Sequence, residues 1–96
     1  MQAVIRTYSG KGAAEAFAFI EKNHAGVEEV MRKVKGFRSY TLIRTAEGGV
    51  AVTIADDTAG LEQSAAAARE WLSKNAAQFT ISAPSLVEGT VILHAS

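Results

Sequence analysis

Trp71, the only tryptophan, has Ser64 seven residues before it and Asn75 four after it, a spacing that sets all three along one side of a helix. An indole face beside a hydroxyl and an amide would make a wall for a flat aromatic ligand, with one indole N–H to donate. A tryptophan bordering an apolar helical stripe also serves as plain core packing. Arg38, Tyr40 and Arg44 alternate onto one side of an extended segment, as do Arg6 and Tyr8 on another. Guanidiniums converging with phenols would hold a carboxylate or a phenolate. The same residues also suit a polar dimer face or rim. His24 and His94 add two groups able to exchange a proton near neutral pH, so His94, Tyr40 and Arg38 are the candidates for catalysis and for orienting a phenolic oxygen. A histidine on an apolar helical stripe, as His24 is, equally serves as a hydrogen-bonded structural residue.

These side chains are positioned by a short series of elements. Gln2 to Tyr8 reads as a first strand, and Phe17, Ile20, His24, Val27, Met31 and Val34 recur at the spacing of one helix face, with a bend expected between Asn23 and Gly26. Gly36 ends that helix. Phe37 to Thr45 and Val50 to Ala55 alternate as two strands joined at Gly48-Gly49, with Tyr40 and Leu42 on one face and Phe37 and Ile43 on the other. Asp57 or Thr58 caps a second helix, whose buried stripe is expected at Leu61, Ala65, Ala68 and Leu72. A fourth strand is expected over Leu86 to His94. The order β-α-β-β-α-β predicts an α+β, ferredoxin-like domain spanning residues 1–96, an antiparallel four-stranded sheet with two helices on one face.

Composition narrows the function. Ten basic and ten acidic side chains cancel and are scattered, which gives no footprint for nucleic acid or for an anionic membrane surface. The absence of cysteine excludes disulfides and thiolate chemistry, and two histidines without helical ligand spacing give no metal site. Ser9-Gly10-Lys11-Gly12 lacks the spacing and the Lys-Ser/Thr ending of a phosphate loop and reads as a solvated turn. No apolar run reaches the length of a membrane span, and Met1 leads directly into a strand, so a cytoplasmic protein is expected. Hydrophobic residues make up 48% of the chain, more than one thin core needs, and both faces of the sheet carry apolar residues. A homodimer is expected.

Gly36-Phe37-Arg38-Ser39-Tyr40-Thr41-Leu42-Ile43-Arg44, the Gly48-Gly49-Val50 turn and Ala68-Arg69-Glu70-Trp71-Leu72 resemble the dimeric α/β-barrel superfamily, in particular antibiotic biosynthesis monooxygenase-like domains. The resemblance implies two sheets packed face to face in a homodimer, a ligand cavity between sheet and helices, and no resident cofactor. It implies a small aromatic or quinone-like ligand and cofactor-independent oxygenation, with Trp71, Ser64 and Asn75 binding the ligand; a non-catalytic ligand-binding or dimerisation module is the alternative. The chain departs from the family pattern in two respects. Ala67 stands where antibiotic-tailoring members carry an asparagine before the tryptophan. The first strand offers Arg6 and Tyr8 in place of the asparagine of haem-degrading members, and Asn75 follows the tryptophan where those members use a histidine, which argues against haem degradation.

Overall fold

The computed structural model describes residues 1–95. Seven elements follow in order: β1 (Gln2–Tyr8), α1 (Ala13–Lys22), α2 (His24–Arg32), β2 (Phe37–Arg44), β3 (Gly49–Ala55), α3 (Thr58–Asn75) and β4 (Ser85–Thr90). The strands form one antiparallel sheet in the order β2-β3-β1-β4, so β2 and β4 are its edges. This is the expected ferredoxin-like sheet, with the first helix divided in two.

The division has a local cause. The Asn23 side chain donates to the Phe19 carbonyl at 2.8 Å, and its backbone N–H turns to Ile20. An asparagine that bonds to the preceding turn offers the backbone an alternative to helix continuation, and Gly26 just beyond holds the helix weakly. At the other helix, Asp57 accepts from the Gly60 N–H at 2.9 Å and caps α3.

Register decides which side chains face the helices. β1 pairs with β3 so that Arg6 lies beside Ala51 and Tyr8 beside Gly49, and β2 pairs with β3 so that Tyr40 lies beside Thr53. The β2–β3 register slips between Phe37 and Ser39. A bulge there corrects the expected alternation: Phe37 pairs with Ala55 and falls on the same face as Tyr40 and Leu42, where it packs against Ile20, Val27 and Met31. The extra residue is Arg38.

β4 is shorter than its apolar sequence suggested. A strand pairs only as far as its neighbour runs, and β1 starts at Gln2; the last link is Val91 N–H to Met1 O at 3.0 Å. Ile92, Leu93 and His94 therefore lie beyond the sheet and are exposed, so His94 does not end a strand.

The helices cover one face. Val4, Ala55 and Leu61 pack between β1, β3 and α3, and the Ile20, Val27 and Met31 cluster packs against Trp71, Leu72 and Tyr40. On the opposite face no element of the described residues covers the sheet, and Ile5, Ile43 and Val87 are 41%, 46% and 65% exposed.

Candidate functional site

Between the sheet and α3 lies a chamber of about 130 Å³. Its sheet side is built by Arg6 and Tyr8 of β1, Tyr40 of β2 and Thr53 of β3, which the register brings together on the helix-facing side. Its roof is α3, through Ser64, Arg69 and Leu72. Thr53 is 1% exposed and Ser64 0%, and neither hydroxyl has a hydrogen-bond partner among the described residues. A buried hydroxyl left unpaired costs about 1 to 3 kcal/mol, so the two in this lining are a cost to the fold.

The arginines of the molecule divide into paired and unpaired, and Glu62 and Glu88 share a neighbouring hollow with Arg6 and Arg69. Arg38 is paired with Asp56, Arg44 with Glu21 at 2.7 Å and Arg32 with Glu28 at 2.8 Å. Among the described residues, Arg6 and Arg69 take part in no ion pair. Both act on Tyr8: burial pushes its phenol up, and Arg6 and Arg69 partly pull it back. Tyr40 is pushed up to about 12, chiefly by burial and further by neighbouring Tyr8, against a small pull from Arg6. Both phenols are therefore neutral near pH 7 and present O–H donors; neither is a base there.

A second, open hollow lies on the other side of Tyr40, between α2 and β2. It measures about 480 Å³ and is lined by His24, Met31, Phe37, Arg38, Tyr40 and Leu42. A neighbouring hollow of about 290 Å³ continues from His24 and Leu42 to Phe17 and Arg44. Together they form a cleft along the β2 edge, and Tyr40 is the residue common to cleft and chamber.

The expected site residues fall in different places. Ser64 and Tyr40 meet in the chamber, joined by Arg6 and Tyr8. Trp71 lies two turns further along α3, its ring centre 6.2 Å from that of Phe19, over Gly26, where an added Cβ would stand 3.0 Å from the indole nitrogen. Asn75 is exposed and donates to the Trp71 carbonyl at 3.0 Å. Arg38 sits at the cleft rim, His24 lines the cleft, and His94 is in the segment after β4. Thr53 and Arg69 were not among the expected site residues. The signal for Thr53 was a lone hydroxyl in the apolar run Val50 to Ala55, and Arg69 was a cation next to the small residues of α3. No three His, Cys, Asp or Glu side chains among the described residues gather closely enough to hold a metal ion, and no described helix is long and apolar enough to cross a membrane.

No protein-family model and no curated protein sequence matches the chain. Solved structures do. The heme-degrader MhuD from Mycobacterium tuberculosis, with two hemes bound in its active site, superposes with a TM-score of 0.69 at 21% identity, covering 100% of both chains. SnoaB, a cofactor-independent oxygenase from Streptomyces nogalater, gives 0.64 at 17% identity over 97% of this chain and 94% of its own. A monooxygenase from the gene ActVA-Orf6 of Streptomyces coelicolor, in complex with Nanaomycin D, gives 0.59 at 22% identity over 98% and 91%. The chain has the ferredoxin-like fold of these proteins.

Proposed function

We propose that the protein is a cytoplasmic homodimer that binds a small aromatic or quinone-like molecule in the chamber under α3 and oxygenates it without a cofactor. The observation behind this reading is a small chamber walled by two arginines outside any ion pair among the described residues, with the buried hydroxyls of Thr53 and Ser64 in its lining. A phenol placed there would meet donors from Tyr8 and Tyr40, and Arg6 and Arg69 would favour its ionised form. A reduced substrate so ionised can pass electrons to dioxygen itself. At a ring CH₂ the sum is CH₂ + O₂ giving C=O + H₂O, with one oxygen atom retained and the other leaving as water. The protein would supply position, charge and exclusion of bulk water. Ser64 and Tyr40 would contact the ligand, while Trp71, Asn75 and Arg38 would support the surrounding walls. Solved structures of the same fold that bind hemes or Nanaomycin D support a ligand site of this kind.

The uncovered sheet face supports dimerisation, because Ile5, Ile43 and Val87 would otherwise remain in water. The same apolar face, together with a chamber that holds no side chain able to act as base near neutral pH, favours a second reading: a binding or dimerisation module without catalysis. Oxygen consumption by the purified protein, supplied in turn with a panel of phenols and quinols, separates the two. Ligand-dependent uptake that is lost in Ser64→Val supports catalysis in the chamber. A thermal shift without uptake supports the module, and neither response would reject the ligand site.

A further inference from the structure

Tyr40 is the shared boundary of two spaces that differ greatly in size. On one side is the chamber of about 130 Å³; on the other is the hollow of about 480 Å³. A cavity of about 150 Å³ accepts a benzene-sized guest, so the chamber has room for one six-membered ring and not for two or three fused ones. Its polar groups are concentrated in the same small volume: Arg6 and Arg69, the neutral phenols of Tyr8 and Tyr40, and the hydroxyls of Thr53 and Ser64. The larger hollow has an apolar floor of Met31, Phe37 and Leu42, and its arginines are already paired with carboxylates.

We propose that Tyr40 is a partition that sets the ring number of the ligand: in place, it confines the chamber to a single aromatic ring whose acidic oxygen faces Arg6 and Arg69, and removed, it opens the chamber into the cleft and admits fused rings. The proposal rests on the chamber being the ligand site, as proposed above. The strand supports the role. Tyr40 stands on β2, an edge strand, directly beside Thr53 of β3, and it lines both the chamber and the hollow along that edge. Leu42, two residues on along the same face, lines the cleft alone. Tyr40 is thus the residue that lines both spaces. Its hydroxyl is not required for the partition, which is a matter of ring volume.

The test is calorimetric binding of two carboxylates of equal charge, para-hydroxybenzoate with one ring and an anthraquinone carboxylate with three, to the wild type, Tyr40→Phe, Tyr40→Ala and Tyr40→Leu. Tyr40→Leu keeps apolar packing against Met31 and Leu72 should Tyr40→Ala not fold. The wild type should bind the single ring at least about tenfold more tightly than the fused rings. Tyr40→Phe should keep that preference. Tyr40→Ala or Tyr40→Leu should tighten binding of the fused rings by about tenfold or more and reverse the order. Equal binding of both ligands by the wild type, or a folded Tyr40→Leu with the wild-type preference, overturns the partition while leaving the chamber as a site. Binding of neither ligand by any variant overturns the chamber as a site and the partition with it.

Discussion

The chamber and the cleft share Tyr40 but differ in what their polar groups have left to do. The cleft is several times larger, yet Arg32, Arg38 and Arg44 along it are each paired with a carboxylate on an exposed rim. The chamber is small, and it holds two buried hydroxyls without partners and two arginines outside any described ion pair. Volume alone would select the cleft. Unsatisfied chemistry is the reason for proposing the chamber, because each buried polar group without a partner costs stability that a bound molecule would recover.

The largest expected effect breaks the comparison at the apolar floor of the cleft. Met31 is 1% exposed and packs with Ile20 and Val27, so Met31→Ala should cost about 2 to 5 kcal/mol in chemical denaturation. A cost near zero would mean that the cleft is deeper than described. Next comes Tyr40. Its phenol keeps its proton up to about 12 when folded and loses it near its ordinary value of about 10 when unfolded. Between those values the unfolded chain binds fewer protons, so stability is complete below pH about 10 and falls by up to about 1.4 kcal/mol per unit above it. Tyr40→Phe should flatten that alkaline decline, measured by denaturation across the window; an unchanged slope would move Tyr40 out of the interior.

Much of this arrangement was legible in the sequence. The alternation of β1 and β3 and the Asp57 cap were written in local pattern; Ser64 stood out on the edge of the α3 stripe, and Tyr40 on a strand face with Arg38 and Arg44 that suited a pocket or a dimer rim alike. Three features depended on partners that are distant in sequence. The bulge at Arg38 depends on packing Phe37 against Met31, and β4 ends where β1 has no more backbone to offer. The rotation of α3 depends on small residues: Gly60 and Ser64 are buried because the helix presses close to Ala55, whereas a run of alanines gives no strong apolar stripe to fix its orientation. That same ambiguity placed Trp71 beside Ser64 on one wall, although it packs two turns away on Phe19.

Smaller effects sharpen the contrast. Ser64→Ala and Thr53→Val each delete an unpartnered hydroxyl, so each should leave stability unchanged or raise it by about 1 kcal/mol while weakening ligand binding. A loss of stability would reveal a partner for the hydroxyl. Last, Arg44→Ala breaks an exposed ion pair with Glu21 and should change stability by no more than about 0.5 kcal/mol with no effect on ligand affinity. Arg69→Met should be similarly neutral for stability yet weaken binding of para-hydroxybenzoate about tenfold, as calorimetry would show.

The most direct measurement is a crystal structure of the protein grown with para-hydroxybenzoate. One molecule is expected under α3, its carboxylate against Arg6 and Arg69 and its hydroxyl within hydrogen-bonding distance of Thr53 or Ser64. The molecule lying instead in the cleft beside His24 and Leu42, with the chamber unchanged, would contradict it.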